Sequence, residues 1–140
     1  ISSQSLIIDI GKLQHLKKDL PVLDEKGLLG KTIYIDNQAS MVQLITDKNY
    51  RVSIRAGNER VLGIFLPTHG KYGILEGVRK TSVLNEGDIV FTSGISKIYP
   101  PNIPVAIVKS TNKISNKPFQ EVIVEILASI NNLDFVFVIL

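Results

Sequence analysis

The chain has 140 residues, of which 44% are hydrophobic, 21% charged and 6% aromatic, a mix that describes a folded body and excludes a disordered tail. Its length suits one domain, and a body of that size buries roughly 68–70% of its unfolded surface, so a core forms without staples; the lack of Cys excludes disulfides and thiolate metal sites. The net charge of +3 is scattered, with only Lys17-Lys18 and Arg79-Lys80 adjacent, which argues against a phosphate-binding face and so against nucleic acid as a partner.

In chain order, Ser5-Leu6-Ile7-Ile8-Asp9-Ile10 reads as a strand closed by Gly11. In Lys12 to Leu20, Leu13, Leu16 and Leu20 fall at spacings of three and four, which predicts a short N-terminal helix stopped by Pro21. The period then changes. Thr32 to Asp36 alternates with Ile33 and Ile35 on one face, Asn37 to Ser40 is turn material, and Met41 to Thr46 follows as a strand before the turn Asp47-Lys48-Asn49. Tyr50 to Arg55 places Val52 and Ile54 inward and Arg51, Ser53 and Arg55 in water. Arg60 to Leu66 is a strand ended by Pro67, and further strands are predicted over Tyr72–Val78, Ile89–Thr92, Val105–Lys109, Phe119–Leu127 and Phe135–Leu140. Short strands without long helical patterns between them predict an all-β, antiparallel sandwich or barrel. No apolar run approaches the roughly 18 residues that span a bilayer, and the opening Ile-Ser-Ser reads as a cut made within a longer protein, with any anchor lying upstream.

Chemistry-bearing patterns are sparse. His15 and His69 lack a partner at metal-ligand spacing, so no metal or cofactor is expected. Thr92-Ser93-Gly94 offers a serine beside a glycine, and a serine nucleophile needs an imidazole base and an orienting acid. Position 91 is Phe, so this is not the Gly-x-Ser-x-Gly elbow, and a turn between strands explains the motif more simply. The rival enzymatic reading is a two-barrel serine hydrolase using Ser93 and one of the histidines. Gly63 and the series Gly70, Gly73 and Gly77 sit in strand-like sequence with no following helix, so no phosphate cradle is predicted.

Two blocks carry a family resemblance. Pro21-Val22-Leu23-Asp24-Glu25-Lys26-Gly27-Leu28-Leu29-Gly30-Lys31 followed by Val42 to Asp47, and Gly87-Asp88-Ile89-Val90-Phe91-Thr92-Ser93-Gly94 followed by Ile98 to Ala106, resemble in order and spacing the core segments of MreC, the rod shape-determining family. Tyr99, Asn102 and Ala106 depart from its pattern, Asn102 and Ala106 where glycine is usual; Asn accepts positive φ more readily than Ala. The resemblance implies two small antiparallel β-barrel subdomains, an inner one over about 28–77 and an outer one from about 1–27 plus 78–140. It also implies an upstream membrane helix and coiled coil, and residence on the periplasmic face of the bacterial inner membrane. The function implied is that of a non-catalytic scaffold of the elongation machinery, which binds and positions a peptidoglycan transpeptidase of the class B penicillin-binding type. MreD and other copies of the chain are the further partners it implies.

On a strand surface, partner contact falls to outward side chains, and aromatics dominate interface energetics. Tyr34 and Phe65 alternate out of phase with Ile33/Ile35 and with Leu62/Ile64. Tyr34, Tyr50, Phe65, Tyr72 and Tyr99 are therefore the residues expected to bind the partner.

Overall fold

A computed structural model describes residues 4–140. The strands are β1 (Ser5–Ile8), β2 (Pro21–Leu23), β3 (Leu28–Ile35), β4 (Ser40–Leu44), β5 (Val52–Ala56), β6 (Val61–Pro67), β7 (Tyr72–Glu76), β8 (Ile89–Thr92), β9 (Pro104–Lys113), β10 (Gln120–Ile126) and β11 (Phe137–Val138). They form a five-stranded antiparallel sheet in the order β1-β4-β3-β2-β11 and a closed barrel in the order β10-β7-β6-β5-β8-β9. The all-β expectation holds, with one unit a closed barrel and the other a sheet whose ladder stops at β1 and β11. Among the described residues no helix is long and apolar enough to cross a membrane.

Alternation fills the barrel as the strand period requires. Val52, Ile54 and Ala56 of β5, Val61 and Phe65 of β6, and Val122, Val124 and Ile126 of β10 are buried. Phe65 is the largest side chain of the barrel interior and is fully buried. A Cβ on Gly73 would lie 2.5 Å from the edge of its ring, so β7 gives up a side chain to make room for it.

The helix predicted over Lys12 to Leu20 is absent. Only Lys12–Gln14 forms a single 3₁₀ turn, and both His15 (φ 67°) and Asp19 (φ 66°) adopt the left-handed conformation that interrupts a right-handed helix. Nine residues nucleate a helix poorly, and β3 offers the backbone better partners. Leu20 N donates to Thr32 Oγ1 at 2.9 Å, Thr32 Oγ1 donates to Lys17 O at 2.7 Å, and Asp19 N donates to Thr32 O at 2.9 Å. Leu16 and Leu20 still reach the core, whereas Leu13 is exposed.

Strand pairing also divides the chain differently from the predicted boundaries at 28 and 77. β3 and β4 belong with β1, β2 and β11, and the barrel runs from β5 to β10. Asp47-Lys48-Asn49 is a turn, but the strands on either side of it do not pair; it is the crossing from one sheet to the other. Asp47 is buried and holds the crossing, accepting from Asn49 N at 2.9 Å and from Gln4 N at 3.2 Å.

A second buried carboxylate ties distant parts of the chain together. Buried Asp24, in the turn between β2 and β3, accepts from Lys26 N (2.8 Å), Gly27 N (3.0 Å) and Ser129 N (2.6 Å), the last 105 residues away. Hydrogen bonds to a charged group contribute roughly 1.5–3 kcal/mol each, and orphaned buried amides add a penalty. Asp24→Ala is expected to destabilise the protein by about 2–4 kcal/mol in urea unfolding followed by circular dichroism, with Asp24→Asn intermediate because its amide oxygen still accepts.

Candidate functional site

The outer face of the barrel carries the side chains that alternation turns away from the core. Ile64 of β6 lies opposite Ser53 of β5 and Glu76 of β7. In the next row, Ile74 of β7 lies between Leu66 of β6 and Ile123 of β10. Ile64, Ile74 and Ile123, together with Leu62, with Phe119 just before β10, and with Ile95 from the loop between β8 and β9, line a groove of about 940 Å³. Leu62, Ile64, Ile95, Phe119 and Ile123 are each between 42% and 60% exposed. A contiguous exposed apolar groove makes this face the candidate contact site. Its charged components are acidic: Glu76 and Glu121 line it, and among the described residues neither is in an ion pair.

Gly77 places no side chain in the groove, where an added Cβ would meet open space. Gln120 supports one wall, its Nε2 donating to Arg79 O and Ser82 O at 2.9 Å each. A bridge between Arg79 and Phe119 fixes the strand end beside it.

The five predicted aromatics do not come together. Phe65 is in the barrel core, and Tyr50 and Tyr99 are buried, so these three are corrected from partner contacts to structural residues. In β6 the inward phase is Val61, Gly63 and Phe65, and Leu62 and Ile64 face solvent. Tyr34 is 70% exposed, on β3 of the other sheet opposite Met41. Tyr72 is half-buried on β7, facing Glu125, with Lys71 Nζ 5.5 Å from its ring centre and the His69 ring at 6.3 Å.

Ser93 has no imidazole at its hydroxyl. Its Oγ is 2.9 Å from Ser53 Oγ and accepts from Ile95 N at 3.1 Å. The rest of the motif anchors the loop between β8 and β9. Thr92 Oγ1 donates to Pro100 O at 2.6 Å and accepts from Ile103 N at 2.9 Å; Gly94 takes φ +80°. Asn102, at φ 71°, adopts a positive angle that Asn accepts more readily than most residues.

Tyr50, in the crossing between the sheets, and Tyr99, in the β8–β9 loop, share a hydroxyl–hydroxyl hydrogen bond with their rings edge to face, 6.5 Å between centroids. Burial pushes the Tyr99 phenol up to about 12; burial, and then the neighbouring Tyr99, raise Tyr50 well above the usual tyrosine range. A phenol whose folded value is raised binds its proton more tightly in the native state, so its stabilisation is complete below the unfolded value near 10 and is lost as pH climbs from there toward 12. For Tyr99 the loss is on the order of 3 kcal/mol. Thermal denaturation followed across pH 8–12 is expected to show a flat profile up to about pH 10 and then a steep fall. Tyr50→Phe/Tyr99→Phe is expected to blunt the fall and to cost less than the two single changes summed, since each single change strands one hydroxyl.

Comparison with known proteins agrees with the resemblance seen in the sequence. The family described as "Rod shape-determining protein MreC, barrel core" matches residues 2–140. The chain is 29% identical over 140 residues to the cell shape-determining protein MreC of Haemophilus influenzae, covering 99% of this chain and 40% of the relative. With the Escherichia coli protein of the same name it is 27% identical over 109 residues, 77% of this chain and 30% of the relative; the chain thus spans well under half the length of these relatives. The crystal structure of MreC from Pseudomonas aeruginosa superposes with a TM-score of 0.93 at 27% identity, covering 99% of this chain and 90% of that one. MreC from Helicobacter pylori, solved in a complex with a penicillin-binding protein, shares the fold at a TM-score of 0.72 and 17% identity, covering 96% of this chain and 97% of that one.

Proposed function

Because this chain belongs to the MreC family of rod shape-determining proteins, we propose that it is a non-catalytic docking body that binds and positions a peptidoglycan transpeptidase of the penicillin-binding class on the periplasmic side of the inner membrane. The observation that carries the reading is the groove across β6, β7 and β10, where Leu62, Ile64, Ile74, Phe119 and Ile123 stand together. Burying such a row against a matching apolar surface is the main source of association energy, and Glu76 and Glu121 favour a partner segment with flanking Lys or Arg. The Helicobacter pylori complex supports the choice of partner. The rival hydrolase reading lacks support at Ser93, whose hydroxyl is engaged with Ser53 and Ile95 N.

A scaffold of this kind works by preference. If the groove binds the active conformation of the transpeptidase more tightly than the inactive one, docking also shifts that equilibrium, by no more than the difference in affinity. MreD and further copies of the chain are its other partners in this reading, serving to keep the assembly at the membrane.

Calorimetric titration of the full-length protein with the elongation transpeptidase of the same cell tests the assignment. Ile64→Lys/Ile123→Lys, both on the solvent face, is expected to weaken binding at least about tenfold, as loss of central apolar anchors does, with an unchanged circular dichroism spectrum. Equal affinity of the variant would move the site elsewhere on the surface, and no binding by the native protein would sink the reading.

A further inference from the structure

A second groove, of about 630 Å³, lies at the seam between the sheet and the barrel. One wall is the segment Lys17 to Pro21 that leads into β2; the other is the β8–β9 loop from Gly94 to Pro100, with Ile139 after β11. Lys17, Lys18 and Lys97 line it and are exposed. Among the described residues none of them is in an ion pair, and the one side-chain carboxylate lining the groove, Asp19, is already taken by Lys31 at 3.7 Å; Leu140 lines it too. Three ammonium groups from two separate parts of the chain therefore border one recess and make it a positively charged one, which favours an anionic occupant.

We propose that this seam groove binds an acidic peptide segment of a partner protein. Charge complementarity selects an anionic occupant. The groove's form selects a peptide: a lipid surface is flat and meets protruding side chains, whereas here the lysines border a recess walled by Ile98, Pro100 and Ile139, which suits a chain that alternates carboxylate and apolar side chains. One wall leads into β2 of the sheet and the other is the β8–β9 loop of the barrel, so the occupant touches both units at once. The site is separate from the barrel groove and takes the opposite charge, and it stands or falls independently of the transpeptidase assignment.

Fluorescence anisotropy of a fluorescein-labelled peptide of alternating Glu and Leu, titrated with the native protein, reads the binding directly. Saturable binding is expected, weakening as salt is raised through the range where exposed charges are screened. Lys17→Glu/Lys18→Glu/Lys97→Glu is expected to lose at least about tenfold in affinity, while Lys48→Glu/Lys113→Glu/Lys117→Glu, which makes the same charge change outside the groove, stays within about twofold of native. Absence of binding by the native protein, or an equal loss in both variants, overturns the proposal. So does cosedimentation with phosphatidylglycerol vesicles that is stronger than peptide binding and lost in the triple variant, since the lysines would then face a membrane.

Discussion

β10 is hydrogen-bonded on both sides, to β7 and to β9, and that double pairing converts six strands into a closed ladder. Closure removes the exposed edges that an open sheet must guard, and it gives every strand one inner and one outer face. The lumen of a six-stranded barrel is narrow. It admits Phe65 only where β7 supplies Gly73 instead of a side chain, and its remaining volume is taken by Val, Ile, Ala and Leu. With the inner positions filled, apolar residues in the opposite phase have no core left to join. Leu62, Ile64 and Ile123 stand outside for that reason, and the groove they build follows from closure itself.

The two sheets are joined by a few polar contacts at defined points and by continuous apolar packing. Asp24 ties the turn before β3 to Ser129, after the barrel has ended. The tyrosine pair does the same between the inter-sheet crossing and the β8–β9 loop. Such contacts are costly to break, because each leaves a desolvated group without a partner. They hold the seam groove and the barrel groove in a fixed relation, which is what a docking body must supply to position a partner.

Much of this was legible in the residues. The phase of Val52 and Ile54, the turn at Ser93-Gly94 and the tolerance of Asn102 for a positive angle all follow from local chemistry. The segment from Lys12 to Leu20 misleads because leucine spacing reports burial, and Leu16 and Leu20 are indeed buried; the spacing says nothing of Thr32, which captures the backbone from another strand. Sheet membership was hidden for a related reason: a turn signal such as Asp47-Lys48-Asn49 marks a change of direction without stating whether the flanking strands pair. For β6 both phases are apolar, so Phe65 could equally have faced out. A usable signal lay in β10, where Glu121 and Glu125 flank Ile123 and identify its face as the solvent side.

The first and last strands, β1 and β11, lie at opposite margins of one sheet, with the whole barrel encoded between β4 and β11. Every barrel strand comes from one uninterrupted stretch, from Val52 to Ile126. The five-stranded sheet, by contrast, cannot be completed until Leu23 meets Phe137. During synthesis the barrel strands therefore all emerge before the sheet can receive β11, so four strands of the sheet wait with one margin unpaired while the barrel between them is made.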